Sequence, residues 1–364
     1  MNVSCVKRFF GFVTILAVCF IVALPRADAL TFNLTYDTDT PTDVVNGFNM
    51  AANLWSATLV DNITININVG LENISNPSII GETSCSWLNP TNSSATYTSF
   101  VNALQSHSRS ADDASAYAHL QSGPTYSRWI NGTTDNPNGD GSLTPYNDTM
   151  NWVGITTANG KALGLTLDDP SFSASDGTIK FSTQWTNRFD YAHGLTIQSD
   201  KIDFVGAAAH EIGHLLGFSS GVDDLDSLYY TIYRGAGTNF SSNAIDFFRF
   251  SSLSLSNGLP DYTVGTGYKY FSVDGGSNAI AAFSTGVYLG DGSQASHWTN
   301  ASPRVGLMGP KAGDGEKLDI TQTDLRAIDV LGYSLIPEPS SFLLVLFGAL
   351  LCFRGRRRSI NPTG

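Results

Sequence analysis

One segment, AAAHEIGHLLGFSSGVDD, constrains this chain more than any other. Its apolar residues recur at helical spacing, and on a helix His210 and His214 lie about 40° apart on one face. Two imidazoles at this spacing can hold one metal ion, while Glu211 lies beside them within reach of a water bound to that ion. Gly217 follows where a left-handed residue would reverse the chain. The segment therefore predicts a helix over 202–217 that carries a catalytic zinc site.

The third metal ligand is not in the expected place. Catalytic zinc sites usually have three protein ligands, and Ser220 occupies the position six residues after the second histidine, where a third one would complete the motif. Asp223 and Asp224 follow closely, and an aspartate can bind zinc. His297 is the only histidine after His214. From the residues alone, these three candidates stay open.

The first 29 residues have the pattern of a secretory signal peptide. Lys7 and Arg8 precede an apolar run, which is followed by the small-residue sequence Ala-Asp-Ala. This order is typical of a cleavage site for signal peptidase. We therefore expect cleavage after Ala29 and export of the chain; the alternative is an N-terminal membrane anchor.

Residues 336–364 form a second targeting segment. Pro337-Glu338-Pro339 precedes an apolar stretch and an arginine cluster. The stretch is shorter than the ~20 residues of a spanning helix, and the arginines would stay on the cytoplasmic side. This order resembles the PEP-CTERM sorting signal of bacteria that process surface proteins with an exosortase. The resemblance implies transient insertion into the inner membrane, cleavage by an exosortase-type enzyme, and a final location at the cell surface or in the extracellular matrix of a Gram-negative bacterium.

Charge and cysteine content narrow the possible partners and cross-links. The chain has 20 basic and 32 acidic residues, a net charge of −12. No basic patch remains between the two end segments, so we expect no nucleic acid partner. Cys85 is the only cysteine outside those segments, which excludes a disulfide within the body of the chain. We expect it to be a buried free thiol.

The body of the chain predicts an α+β fold with two lobes around a cleft. We expect an N-terminal lobe (30–218), with a twisted sheet and helices, that ends with the metal helix. A largely irregular C-terminal lobe (219–335) follows, and it ends in a closing helix. Helical spacing occurs at 43–59, 97–120 and 319–331, and strand patterns occur at 33–36, 63–69 and 178–185.

Two local features predict turns and edges within the N-terminal lobe. Asn159-Gly160 is typical of a hairpin turn, and it lies in a region that we expect to consist of strands joined by turns. The strand at 178–185 precedes the metal helix, and we expect it to be a sheet edge. An extended edge of this kind can pair with the backbone of a peptide substrate.

Beyond His297, which lies in Ala-Ser-His-Trp, the sequence Leu-Met-Gly-Pro contains Met308 and a closing helix follows. Together with HExxHxxGF, this order resembles the metzincin metalloproteases, with the spacing of their leishmanolysin-like members. In those members an insertion separates the glycine turn from the third histidine. The resemblance covers about residues 200–333 and implies a metzincin-like two-lobed fold with a structural turn at Met308. It also implies one catalytic zinc ion with three histidine ligands: His210, His214 and His297.

The residues and this resemblance together predict a secreted or surface zinc-dependent endopeptidase. Glu211 is the expected catalytic residue, which assists the attack of a zinc-bound water on a peptide bond of a protein or peptide substrate. The alternative is a cell-surface adhesin or matrix protein that keeps a zinc site without catalysis, although such a site needs no general base. The other histidines, His107, His119 and His193, are expected to be surface or hydrogen-bonded core residues.

Overall fold

The computed structural model describes residues 30–89, 93–165, 175–231 and 241–336, so the predicted signal peptide and almost all of the predicted sorting tail lie outside it. Within these ranges the fold is mixed α+β, as predicted. The α-helices are α1 (Thr42–Ser56), α2 (Tyr97–His107), α3 (Ala111–His119), α4 (Thr157–Ala162), α5 (Phe204–Leu215), α6 (Val222–Thr231), α7 (Ser252–Ser256) and α8 (Gln322–Asp329). The strands are β1 (Thr31–Tyr36), β2 (Thr64–Glu72), β3 (Gly81–Cys85), β4 (Tyr126–Ile130), β5 (Tyr146–Met150), β6 (Val153–Gly154), β7 (Gly177–Ser182), β8 (Phe189–Asp190), β9 (Ile202–Asp203), β10 (Ser242–Asn243), β11 (Arg249–Phe250), β12 (Lys269–Phe271) and β13 (Ala281–Phe283).

The largest sheet has the strand order β1-β2-β7-β3. β1, β2 and β7 are parallel, and β3 runs antiparallel to β7. The predicted sheet edge at 178–185 is therefore wrong, because β7 lies between two partners and β3 forms the edge. The strand also ends at Ser182, and the residues Thr183–Arg188 form a 3₁₀ helix instead of continuing it. The remaining sheets have two or three short strands.

Helix α1 packs against α5, the helix that carries His210 and His214. Trp55 is fully buried, and its indole Nε1 donates a hydrogen bond to the Ala209 carbonyl at 2.8 Å. Phe48 meets Phe204 edge to face, with ring centroids 5.3 Å apart, a favoured arrangement of buried aromatic rings. The face of α5 opposite its histidines is buried, as its helical spacing predicts: Val205, Ala208, Ile212 and Leu216.

The main hydrophobic core extends from Leu30 to Tyr333. It contains residues from both expected lobes, 30–218 and 219–335. A smaller cluster, drawn mostly from the second half of the chain, packs α6 against the segment that carries His297. It consists of Ile130, Val222, Leu225, Tyr262, Val264 and Ala295. Among the described residues, no helix has both the length and the apolar character needed to cross a bilayer.

Three local predictions differ from the structure. Asn159-Gly160 lies inside α4 rather than in a hairpin turn, because Thr156 caps this helix by accepting a hydrogen bond from the Asn159 N–H at 3.2 Å. The helical stretch at 97–120 is two helices, since Ser110 starts a new capping box. The segment after position 219, expected to be irregular, begins with α6.

Candidate metal centre

Two different capping motifs fix the ends of α5. At its N-terminus, Asp203 accepts a hydrogen bond from the Gly206 N–H at 3.0 Å, which caps the helix. At its C-terminus, the Gly217 N–H donates to the His214 carbonyl at 3.0 Å and the Phe218 N–H donates to the Gly213 carbonyl at 3.1 Å. This pair of bonds is a Schellman motif, and Gly217 adopts the φ of +112° that it requires. The chain therefore reverses immediately after the second histidine.

The structure brings His297 to the two histidines of α5. The Nε2 atom of His210 lies 3.0 Å from Nε2 of His214 and 3.2 Å from Nε2 of His297. One ligand atom from each of the three residues lies within 4.8 Å of the others. His297 comes from a segment 87 residues after His210. Neither Asp223 nor Asp224 belongs to this group.

The opposite nitrogen of each imidazole faces a main-chain carbonyl. Nδ1 of His210 lies 2.9 Å from the Leu307 oxygen, and Nδ1 of His214 lies 2.8 Å from the Phe218 oxygen. Nδ1 of His297 lies 3.3 Å from the oxygen of Gln294. A carbonyl can only accept, so each Nδ1 carries the hydrogen and each Nε2 presents a lone pair. Three acceptors that face one another suit a metal ion at their centre.

Electrostatics favour the neutral, metal-binding form of the three imidazoles. Burial lowers the pKa of His210 to about 4 and that of His214 to about 3. It also lowers the pKa of His297 well below its usual value, and the two neighbouring histidines add to this effect. Neutral imidazole is the form that binds metals. The donor set therefore fits zinc, which takes histidine nitrogen ligands.

Glu211 lies beside the three histidines in a cleft of about 620 Å³. Its carboxylate is buried, and the Thr83 hydroxyl on β3 donates to Oε2 at 2.6 Å. Burial raises the pKa of Glu211 to about 7, against the opposing effect of the Thr83 hydrogen bond. Nothing in the local sequence pointed to Thr83, because it contacts Glu211 from 128 positions earlier in the chain.

Met308 is buried, and the turn that contains it contacts the histidine segments through its main chain. The main chain of this turn accepts from His210 through the Leu307 carbonyl, and the Met308 carbonyl accepts a hydrogen bond from the Trp298 N–H at 2.9 Å. Asp324 fixes the same turn by accepting from the Leu307 N–H at 2.7 Å and the Met308 N–H at 3.1 Å. Sequence reasoning missed Asp324, although Thr321 and Asp324 have the spacing of a capping box.

The two aspartates after the glycine turn have different surroundings. Asp223 accepts hydrogen bonds from the N–H groups of Ala295 and Ser296, at 2.5 and 3.0 Å, and from the Ser296 hydroxyl. Asp224 is exposed. Ser220, which lies six residues after His214, donates its N–H to the Ser296 hydroxyl at 2.8 Å. Asp223 and Ser220 therefore contact the segment that carries the third histidine.

His107, His119 and His193 do not belong to the group of three histidines, whereas the Cys85 thiol lies 3.7 Å from the His214 carbonyl oxygen. Cys85 is a free thiol, as predicted, but it is only half-buried. Burial and the nearby Glu211 raise its pKa to about 12, so it is not a thiolate at neutral pH. Nδ1 of His107 and of His119 each face a helix carbonyl. His193 lies between Asp203 and Asp319.

No family model, curated protein or solved structure matches this chain. Function is therefore inferred from the geometry and chemistry of the site itself.

Proposed function

We propose that this protein is an exported zinc-dependent endopeptidase. The observation that carries the proposal is the convergence of three Nε2 atoms on one point, next to the buried carboxylate of Glu211 in an open cleft. When bound there, zinc would lower the pKa of a water molecule and polarise a substrate carbonyl. The three hydrogen-bonded Nδ1 atoms fix the imidazoles in the orientation that such a site needs.

Glu211 is the proposed general base. Thr83 holds one of its oxygens, and the residue lines the cleft beside the histidines. From this position the carboxylate can accept a proton from the attacking water and deliver it to the leaving amine. A site that only stabilises structure gains nothing from a carboxylate held in this way.

The open edge of the sheet supports a peptide substrate. β3 is an edge strand, and Ser78 to Thr83 line one wall of the cleft. The Ser86 N–H donates towards β7, to the Asp176 carbonyl at 2.9 Å. Because successive residues of a strand alternate in direction, the main-chain groups of Thr83 and Gly81 face the open edge. An extended peptide can pair with them as an added strand.

The order of the site elements supports a metzincin-like arrangement. A helix with two histidines ends in the Gly217 reversal, His297 arrives from a distant segment, and the Met308 turn packs against the helix. The wall and floor of the cleft come from both proposed lobes. We therefore propose a metzincin-like fold with two lobes around the cleft.

The two end segments support export and surface localisation. We propose that signal peptidase removes residues 1–29 and that an exosortase-type enzyme cleaves near Pro337–Pro339. The intact mass of the exported protein tests both steps. It should correspond to a chain that begins after Ala29, and a species that retains Arg356 to Arg358 would contradict removal of the tail.

The proposed activity is tested by comparing purified wild type with Glu211→Gln in the digestion of casein. Loss of a positioned general base typically costs 10²–10⁴-fold, so we expect the variant to lose at least about 100-fold in rate while it keeps its zinc. Glu72→Gln is the matched control, since Glu72 is exposed and does not line the cleft, and it should retain most of the activity. Equal digestion by wild type and Glu211→Gln would refute the mechanism and favour a zinc-containing adhesin or matrix protein.

A further inference from the structure

Of the three histidine rings, that of His297 makes the longest hydrogen bond at Nδ1. Its Nδ1 lies 3.3 Å from the nearest carbonyl, whereas the corresponding distances of His210 and His214 are 2.9 and 2.8 Å. His210 and His214 are also fixed by the backbone of α5. His297 lies outside any helix or strand. Its position must therefore depend on how its main chain is anchored.

We infer that Asp223 is the positioning residue for the third metal ligand. It anchors the segment 294–298 to the N-terminal turn of α6 and so places the His297 ring opposite His210 and His214. This inference rests on the proposed function, because it assigns Asp223 a role in the same metal site.

The contacts of Asp223 match this role. Its two oxygens accept from two successive main-chain N–H groups, one from Ala295 to Oδ1 and one from Ser296 to Oδ2. The Ser296 hydroxyl also donates to Oδ2. A carboxylate that bridges neighbouring N–H groups fixes both the place and the rotation of the two peptide groups that end at Ser296, the residue before His297.

A chain of hydrogen bonds continues from this anchor to the residues after the glycine turn. The Ser296 hydroxyl accepts from the Ser220 N–H at 2.8 Å, and the Ser220 hydroxyl donates to Asp246 at 2.6 Å. Apolar packing of Val222 and Leu225 with Ala295 covers the same contact. The residues that follow Gly217 thus hold the segment carrying the third ligand and do not bind the metal themselves.

The decisive experiment measures zinc release from Asp223→Asn. An asparagine keeps the volume but turns one acceptor into a donor that faces an N–H group. Loss of a residue that orients a metal ligand typically costs 10–100-fold in metal affinity, so we expect zinc transfer to a chromogenic chelator to become about 10–100-fold faster. Asp224→Asn is the matched control because Asp224 is adjacent and exposed, and it should release zinc like wild type. Far-UV circular dichroism of the metal-free proteins checks that each variant is folded.

A double-mutant cycle separates positioning from general destabilisation. If Asp223 acts through His297, adding Asp223→Asn to His297→Ala should weaken zinc binding no further, since the ligand it positions is gone. Additive losses in the double variant would overturn the inference, as would zinc release from Asp223→Asn at the wild-type rate. At saturating zinc, Asp223→Asn should recover peptidase activity with little change in KM.

The outcomes also separate this inference from the proposed function. Wild type that binds no zinc would refute the proposed function. Wild type that loses zinc affinity on His297→Ala but not on Asp223→Asn would leave the proposed function standing and refute the role of Asp223.

Discussion

The carboxylate of Asp324 accepts a hydrogen bond from the indole Nε1 of Trp298 at 2.8 Å. Trp298 directly follows the third histidine, and the same carboxylate accepts the N–H groups of Leu307 and Met308. This buried carboxylate on α8 therefore joins the helix to the turn of Met308 and to the segment that carries His297. Its partners are all donors, which is the condition for burying a carboxylate.

Replacement of Asp324 by Asn should strongly destabilise the protein. The amide keeps the size of the side chain, but it has one accepting oxygen instead of two and places a donor against N–H groups. Hydrogen bonds to a charged group contribute about 1.5–3 kcal/mol each, so we expect a loss of about 3 kcal/mol in the free energy of unfolding by urea. Asp319→Asn is the control, since its carboxylate is exposed, and it should cost less than about 1 kcal/mol. A small effect at Asp324 would show that other contacts hold the turn.

Gly213, inside the HEIGH sequence, lies close to the methionine turn. A Cβ there would come within 2.5 Å of the Met308 sulfur and 3.4 Å of Trp55. Gly213→Ala should therefore cost about 1–3 kcal/mol from overpacking, although alanine favours helices. Gly194→Ala, where the nearest atom is 3.7 Å away, should change stability little. In Gly213→Ala/Met308→Ala the loss should be smaller than the sum of the single losses; strict additivity would argue against this contact.

Asp329 gives the fold a pH dependence that is separate from the metal centre. It is buried and accepts a hydrogen bond from the Ser110 hydroxyl at 2.6 Å. Burial raises its pKa to about 7, and the surrounding negative charges add to the effect. The acidic neighbours are Asp113, Asp112 and Asp61, and the basic neighbour is Arg326.

The sign of this dependence follows from proton binding. Between its ordinary pKa of 3.8 and about pH 7, folded Asp329 holds a proton that the unfolded chain has lost, so this residue's contribution to stability falls across that range and changes little above it. Asp329→Asn should then match wild type near pH 4 and have the higher Tm from about pH 7 to pH 8. In a chain of this size each kcal/mol shifts Tm by roughly 2–4 °C. A variant that is less stable at both pH values would contradict the raised pKa.

Thr83 is expected to position Glu211, the proposed general base. Thr83→Val keeps the shape of the side chain but removes the hydroxyl that donates to Glu211. We expect about a tenfold lower kcat with little change in KM, because about 1.4 kcal/mol of transition-state stabilisation corresponds to a factor of ten. Thr83→Ser keeps the hydroxyl and should restore most of the rate. Equal kcat for the Val and Ser variants would exclude a role for this hydrogen bond.

Local patterns in the sequence predict the parts of the site that are close in the chain. The helical face of His210 and His214 and the reversal at Gly217 depend on neighbouring residues, and the structure has both. Asn159-Gly160 shows the limit of such patterns. The dipeptide favours a turn, but the cap by Thr156 and the bond from the Asn159 side chain to the Leu331 carbonyl stabilise a helix.

Relationships between distant segments could not be predicted from the sequence. β3 pairs with β7 across about 95 positions, so no local pattern identifies which strand forms the edge. Asp223 resembled a possible ligand because its partners, Ala295 and Ser296, lie 72 and 73 positions away. An aspartate that accepts main-chain hydrogen bonds and one that binds zinc look the same in sequence.

The distance in sequence between His210 and His297 has a further consequence for the folded chain. A metal ion held by both would act as a removable cross-link that closes a loop of 87 residues, in a body that has only one cysteine and no disulfide. A covalent link of that span stabilises a fold by about 4–5 kcal/mol in the chain-entropy treatment. If the protein is exported as proposed, the zinc concentration around it would then set how well the folded chain resists unfolding and proteolysis, as well as its activity.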